Sequence, residues 1–114
     1  MKVHGTIKIN GVDYAIRYGT SVLQRMEDQD GIFLDKIGEN VSIGMIAKMF
    51  YHGLKAFYPT LTKEQAGDLM DEYFEEGGNL QQLAEIIVNA INKSMGLKPQ
   101  QKQSQAIQQE NLPK

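Results

Sequence analysis

Residues 3–18 read VHGTIKINGVDYAIRY, and this stretch decides the fold. Asn10 and Gly11 lie between two runs in which apolar and polar residues alternate, which is the pattern of a β-hairpin with a two-residue turn. The turn fixes the residues that face each other: Ile9 and Val12, Ile7 and Tyr14, Val3 and Tyr18. The apolar side chains of both strands therefore share one face. An isolated two-stranded ribbon is only marginally stable in water, so this face needs a cover.

Four helices are predicted to supply that cover. After the hairpin, apolar residues recur at steps of three and four, which is the spacing of an amphipathic helix. The predicted helices span about 20–28, 43–57, 63–76 and 80–95. Residues 32–41 are predicted to form a packed loop or a single helical turn. The expected fold class is α+β and mainly helical, with the hairpin (about 3–18) packed on four helices.

Capping residues and helix-stopping residues mark the predicted boundaries. The predicted starts are Thr20 or Ser21, Ser42, Thr62 with Gln65, and Asn79 with Gln82. The predicted stops are Gly31, Pro59, Gly77 with Gly78, and Gly96. These signals separate the four helices from one another.

Two helices have apolar faces that matter for the core and for partners. The second helix is predicted to turn inward Ile43, Ile46, Met49, Phe50, Gly53, Leu54 and Phe57. The fourth helix has one row from Leu80 to Ile91 and a second row of Ala84, Val88, Ile91 and Met95. Because the two rows face different directions around the helix axis, each row needs its own packing partner. The second neighbour is either another part of the same core or another protein chain, for which Val88 is the clearest contact.

Composition limits the classes of function. Residues 1–97, the predicted single domain, carry nine Lys and Arg against thirteen Asp and Glu. An acidic body disfavours nucleic acid, because binding to phosphate backbones depends largely on Lys and Arg. The chain has no cysteine, which removes disulfides and thiolate catalysis and fits a reducing compartment. No apolar run approaches membrane-spanning length, so a cytoplasmic protein without membrane contact is expected.

Residues 98–114 form a predicted flexible tail. They contain six glutamines and only Ile107 and Leu112 as large apolar side chains. Such a segment buries too little surface to offset the entropy lost on ordering, so we expect it to be disordered. It is either an inert terminus, a segment that orders on a partner, or a linker.

No set of residues forms a catalytic or metal-binding motif, and no cofactor is expected. His4 and His52 lie on the predicted polar sides of the first strand and the second helix, where both are expected to be solvated. The glycines do not form a phosphate-binding loop, and the serines lack the context of a catalytic nucleophile. The function is therefore expected to be binding rather than catalysis.

The third predicted helix is strongly acidic. It carries Glu64, Asp68, Asp71, Glu72, Glu75 and Glu76. Glu75 and Glu76 stand near its C-terminus, where negative charge opposes the helix dipole. This helix has either a solvated acidic face or a docking surface for a basic partner.

The order of elements, with the segments YGTSVLQRME at 18–27 and LTKEQAGDLMD at 61–71, resembles the tail assembly chaperones of long-tailed (siphovirus-type) bacteriophages and prophages. The resemblance extends over about residues 3–97. It implies a non-enzymatic factor of the bacterial host cytoplasm that binds the tape measure protein, delivers the tail tube protein and is absent from the finished particle. Many such families also make a longer product by ribosomal frameshifting, in which residues 98–114 would be a linker.

Partner contacts are expected at apolar residues beside the main stripes and along the acidic helix. They are Met45, Tyr51, Tyr58, Asp68, Asp71, Glu72, Glu75, Val88 and Met95. Self-association into a homo-oligomer is a further expectation. Two other classes stay open: a structural virion protein, such as a head-tail connector or tail-completion component, and a small protein-binding regulator.

Overall fold

The computed structural model describes residues 1–37 and 42–96. In chain order its elements are β1 (Gly5–Ile9), β2 (Val12–Ile16), α1 (Thr20–Asp30), a 3-10 turn (Leu34–Lys36), α2 (Ile43–Lys55), α3 (Lys63–Glu75) and α4 (Leu80–Ser94). This order confirms the predicted fold class, a hairpin followed by four helices. The 3-10 turn matches the single helical turn expected after α1. The predicted tail at 98–114 and part of the predicted loop, 38–41, lie outside the described residues.

Within its strands the hairpin has the predicted register, whereas the predicted pair of Val3 and Tyr18 lies outside the paired residues, which begin at Gly5 and end at Ile16. β1 and β2 are antiparallel, and the paired residues include Ile9 with Val12 and Ile7 with Tyr14. Asn10 and Gly11 have φ angles of 52° and 77°, as a turn with two left-handed residues requires. The covered face buries Ile7, Ile9, Ile16 and Tyr18.

The helices cover the apolar face of the hairpin only in part. Val12, beside the turn, is 50% exposed, and Val3, before the first strand, is 39% exposed. The helices that contact the two strands are α2, α3 and α4. Ile9, which pairs with Val12 across the turn, is buried, so the cover reaches the end of β1 but leaves the start of β2 open to solvent.

α2 is the central element, since it contacts α1, α3, α4 and β2. Its predicted inward positions are confirmed at Ile46, Met49, Phe50, Gly53 and Leu54, which are all buried. The prediction is wrong at both ends of the helix. Ile43, the first helical residue, is 59% exposed, and Phe57 lies beyond the helix, which ends at Lys55. The helix ends early because the N–H of Phe57 donates to the carbonyl oxygen of Leu54, three residues back, at 3.0 Å. The carbonyl oxygen of Gly53, four residues back, instead accepts a bond of 3.1 Å from the N–H of Arg17 in the hairpin.

The hairpin meets α2 where Tyr18 crosses Gly53. Tyr18 is fully buried, and its hydroxyl donates a hydrogen bond of 2.6 Å to the carbonyl oxygen of Met49. A Cβ atom on residue 53 would lie 2.5 Å from Cζ and from the hydroxyl oxygen of Tyr18. Burial raises the pKa of Tyr18, so the hydroxyl keeps its proton and acts as the donor. Only glycine leaves room for this contact.

Three of the four predicted helix starts are confirmed. The confirmed caps are Ser42, Thr62 with Gln65, and Asn79 with Gln82. The prediction of a hydroxyl cap for the first helix is wrong. Gly19 is the N-cap of α1, and no side chain accepts a hydrogen bond there. Thr20 and Ser21 are already inside the helix, so neither hydroxyl stands at the capping position.

The helix lengths differ slightly from the expected ones. α1 runs to Asp30, two residues beyond its predicted end, and Gly31 stops it in a left-handed conformation. In α1, Val22 and Met26 are buried, while Leu23 is half-buried. α3 buries Ala66 and Met70, and Leu69, Tyr73 and Phe74 are half-buried against the core.

The second apolar row of α4 is divided. Ala84 and Ile91 are buried in the same core as the first row, so for these two residues the core is the second neighbour. Val88 is half-buried, and Met95 is 42% exposed just after the helix. An interface with another chain at Val88 and Met95 stays a prediction.

Candidate functional site

A groove of about 320 Å³ lies between β2, the loop that follows α2, and α3. We call it the tyrosine groove. It is lined by Tyr14, Tyr58, Thr60, Leu61, Gln65, Asp68, Leu69 and Glu72. These residues come from three separate segments, so the groove exists only when the hairpin is packed beside α3.

Two tyrosines form the wall of the tyrosine groove. The rings of Tyr14 and Tyr58 meet edge to face, with centroids 6.0 Å apart and an angle of 61° between the planes. The hydroxyl of Tyr58 accepts a hydrogen bond of 3.2 Å from the N–H of Ala15 in β2. Its carbonyl oxygen accepts a bond of 2.9 Å from the N–H of Leu61. The backbone of the hairpin and the loop thus holds Tyr58 in place, and the groove is preorganised.

The rim of the tyrosine groove is acidic. Asp68 is exposed and Glu72 is half-buried, on successive turns of α3. Leu61 and Leu69 lie beside them, and both are half-buried against the core. An occupant would therefore meet two aromatic rings, two aliphatic side chains and two carboxylates.

The acidic end of α3 has a structural partner. The N–H of Asn10 donates to a carboxylate oxygen of Glu76, and the side-chain amide of Asn10 donates to Glu72. These bonds tie the hairpin turn to the last turns of α3. They give a physical reason for negative charge at a helix C-terminus, where the dipole alone disfavours it.

The predicted partner-binding residues do not form one surface. Tyr58, Asp68 and Glu72 line the tyrosine groove. Asp71 and Glu75 are exposed on α3 outside it. The remaining four are distributed over α2 and α4: Met45 and Tyr51 on the first, Val88 and Met95 on or next to the second.

Tyr51 has neighbours within the chain. The ammonium groups of Lys55 and Lys63 lie 5.5 and 5.8 Å from the centre of its ring, within the range of cation–π attraction. The imidazole of His52 meets the same ring edge to face, with centroids 5.1 Å apart. These contacts fix Tyr51 between α2 and the start of α3.

The prediction that His52 is a solvated surface residue is wrong. Its side chain is fully buried, and Nε2 donates a hydrogen bond of 2.6 Å to Asp30 at the end of α1. Lys63 lies 3.7 Å from the other oxygen of that carboxylate. Burial raises the pKa of Asp30, but the hydrogen bond from His52 and the charges of Lys63 and Lys48 lower it by more, so the net shift is downward.

His4 is also more enclosed than predicted. It is half-buried, and its Nδ1 accepts a hydrogen bond of 3.1 Å from the N–H of Tyr18. Arg17 Nη1 lies 3.3 Å from its Nε2. Burial and the positive charge of Arg17 lower the pKa of His4. Both histidines therefore connect structural elements.

Among residues 1–37 and 42–96, no group of three or more His, Cys, Asp or Glu side chains is arranged to hold a metal ion. Within the same residues, no helix has the length and apolar character needed to cross a membrane.

Five of the residues that line the tyrosine groove are not among the predicted contacts: Tyr14, Thr60, Leu61, Gln65 and Leu69. The alternating pattern predicts Tyr14 on the covered face of the hairpin, and Leu61 lies in the loop before α3. A loop aromatic, Tyr58, beside an apolar residue, Leu61, was the signal in the sequence that could have drawn attention to this loop. The contact with the hairpin is not encoded by any local spacing.

Comparison of the chain with protein-family models, with curated proteins and with solved structures found no match. The geometry of the tyrosine groove, together with the sequence resemblance, is the basis for a functional proposal.

Proposed function

We propose that this protein is a non-enzymatic tail assembly chaperone of a long-tailed bacteriophage or prophage. It binds the tape measure protein and assists assembly of the tail tube around it. The observation that carries this proposal is the tyrosine groove, a preformed aromatic surface with an acidic rim. The sequence resemblance supplies the class of client.

The chemistry of the tyrosine groove suits a peptide segment with both apolar and basic residues. Tyrosine rings offer large contact area with little loss of side-chain freedom on binding. Asp68 and Glu72 attract Lys or Arg beside the apolar anchor, and such rim charges act mainly on specificity and association rate. A volume of about 320 Å³ is at the low end for small-molecule sites, which is enough for one or two side chains of a client segment. Each contact is therefore weak and reversible. A chaperone that is absent from the finished phage particle needs such contacts, because it has to dissociate from its client.

Co-expression tests the proposal. The tape measure protein from the same genome is produced with and without this chain, and its soluble fraction is measured. We expect the soluble fraction to rise several-fold when the full chain is present. Equal solubility in both cultures would contradict the proposal.

A matched pair of variants tests whether the tyrosine groove is the contact. Asp68→Asn removes a charge at the rim, and Asp71→Asn makes the same change on the same helix outside the groove. We expect Asp68→Asn to reduce capture of the client at low salt by about threefold to tenfold, and Asp71→Asn to leave it unchanged. Equal behaviour of the two variants would remove the groove from the mechanism.

Mass spectrometry of purified particles separates the chaperone from a structural component. A chaperone should be absent from virions, whereas a connector or completion protein should be present at a fixed copy number. Stoichiometric presence would favour the structural class.

A further inference from the structure

A second cavity, of about 640 Å³, lies where α1 begins, next to the C-terminal end of α2. We call it the basic cavity. Three of its lining residues are cationic, Arg17, Arg25 and Lys55. None of the described residues that line it is acidic. On a chain with net charge −2, this is a local concentration of positive charge.

The guanidinium of Arg25 is the sharpest feature of the basic cavity. Its Nε atom is buried and has no hydrogen-bond partner within the described part of the chain. Among the ion pairs of those residues, Arg25 takes part in none. A buried donor on a charged group is costly to leave unpaired. Arg25 as a whole is half-buried and lines the basic cavity, so an anionic ligand there would offset the charge of its guanidinium.

The other two cations are held near the cavity by contacts that leave their charges available. Arg17 donates from Nη1 to the carbonyl oxygen of Lys2 at 2.7 Å, which uses one nitrogen of its guanidinium. Lys55 lies over the ring of Tyr51, an attraction that does not neutralise the ammonium. All of these cationic side chains are half-buried, so solvent screens them less than fully exposed charges.

The first turn of α1 adds backbone N–H donors, which carry partial positive charge, to the basic cavity. Thr20, Ser21 and Val22 line the basic cavity, and the first turn contains no acidic side chain. Its N-cap, Gly19, provides no side-chain acceptor. The N–H groups at the start of a helix favour negative charge when they have no cap.

We propose that the basic cavity binds the phosphate group of a small soluble phosphate ester. Arg25 and Lys55 provide the charge, and the first turn of α1 provides N–H donors. A phosphate group is favoured over a carboxylate because it carries more negative charge and more acceptor oxygens, and because the planar guanidinium pairs with two of them at once. This inference does not depend on the proposed chaperone function.

Nuclear magnetic resonance titration of the full chain tests the proposal. The probes are inorganic phosphate, phenyl phosphate and acetate, added at constant ionic strength against sodium chloride. We expect saturable shifts at the amides of residues 20–22 and at the Nε–H of Arg25, with phenyl phosphate binding at least fivefold more tightly than acetate. Absence of saturation, or equal affinity for acetate, would overturn the proposal.

Variants separate binding from folding. Arg25→Gln and Lys55→Gln should each weaken phenyl phosphate binding at least tenfold, and either one suffices if the other does not fold. Ser21→Asp places a carboxylate in the first turn, which should abolish binding while raising Tm through the helix dipole.

Lys48→Gln, on the exposed side of α2, is the control. It removes a cation outside the basic cavity and should change affinity less than twofold. Equal losses in Lys48→Gln and Arg25→Gln, or full binding by Ser21→Asp, would refute the site.

The source of the phosphate is tested in parallel. A short single-stranded oligonucleotide and vesicles with anionic phospholipid headgroups are titrated under the same conditions. We expect neither to bind more tightly, per phosphate, than phenyl phosphate. Tighter binding of either would replace the small ester with a nucleic acid or a membrane surface and overturn the proposal as stated.

Discussion

Two junctions on α2 join it to its neighbours by different physics, although they lie one residue apart. At Gly53, the ring of Tyr18 fits against bare backbone, and its hydroxyl binds the helix at Met49. At His52, a fully buried imidazole binds Asp30 of α1, with Lys63 of α3 beside the carboxylate. The first junction depends on shape and the second on charge. The difference teaches that one helix can hold a hairpin by close packing and its neighbouring helices by a buried hydrogen bond to a carboxylate, with an exposed lysine beside it.

The largest expected effect is on the shape junction. Gly53→Ala should destabilise the protein by about 3 kcal/mol, because the new methyl group would lie 2.5 Å from Tyr18 and the packed core cannot move to accept it. Chemical denaturation followed by circular dichroism measures this change.

Gly44→Ala is the matched control. It lies on the same helix, and a Cβ atom there meets nothing within 4 Å. This variant should be stabilised by about 0.5 kcal/mol, because alanine loses less conformational freedom in a helix than glycine. Similar effects at both glycines would mean that the contact with Tyr18 is not what makes position 53 special.

The charge junction should be the next most sensitive. Asp30→Asn keeps the shape of the side chain and removes its charge, so we expect a loss of about 2 kcal/mol, as for a hydrogen bond to a charged group. Asp28→Asn, an exposed position on the same helix, should change stability by less than about 0.5 kcal/mol. The urea midpoints of the two variants give the comparison. If Asp30→Asn left the stability unchanged, packing alone would hold α1 against α2.

A smaller effect is expected at the hydroxyl of the shape junction. Tyr18→Phe retains the ring and removes the hydrogen bond to Met49, which should cost about 1 kcal/mol. The ratio of this loss to that of Gly53→Ala measures how far the junction depends on fit rather than on the hydroxyl. If Tyr18→Phe cost as much stability as Gly53→Ala, the junction would depend on the hydroxyl as much as on the fit of the ring.

The two junctions should also differ in their response to acid. The pKa of Asp30 in the folded protein is lowered from its ordinary value of 3.8, so its charge stabilises the fold above that value. This stability is lost as the pH falls through the lower, folded pKa. The stability gap between the wild type and Asp30→Asn should therefore narrow as the pH falls below 3.8 towards the lower, folded pKa. The gap between the wild type and Tyr18→Phe should stay constant, and narrowing there as well would contradict the assignment to Asp30.

Much of the architecture could be predicted from local patterns. The turn at Asn10 and Gly11 and the capping boxes of α3 and α4 act through residues that are close in sequence, and each was found where expected. The errors have a shared cause. His52 was assigned to a polar side because it has Lys48 and Lys55 as helical neighbours, and nothing local reveals that Asp30 reaches it from another helix.

The candidate site was less accessible to this reasoning. Asp68 and Glu72 could be predicted from the charge of α3, and Tyr58 from its place beside the main stripe. Tyr14 joins them through contacts between segments far apart in sequence, such as the hydrogen bonds from Asn10 to α3 and from Ala15 to Tyr58. Likewise, nothing in the spacing of Arg17, Arg25 and Lys55 predicts that they line one cavity.

The sequence by itself determined the hairpin register, the number of helices and most of their ends, since these depend on turn chemistry, periodicity and capping within a few residues. The tertiary structure alone decided that His52 is buried against Asp30, that Gly53 admits Tyr18, and that the tyrosine groove and the basic cavity exist. The physical reason is distance along the chain. Charges and rings far apart in sequence become neighbours only when apolar burial brings their helices and strands together, and no local pattern records which of them will meet.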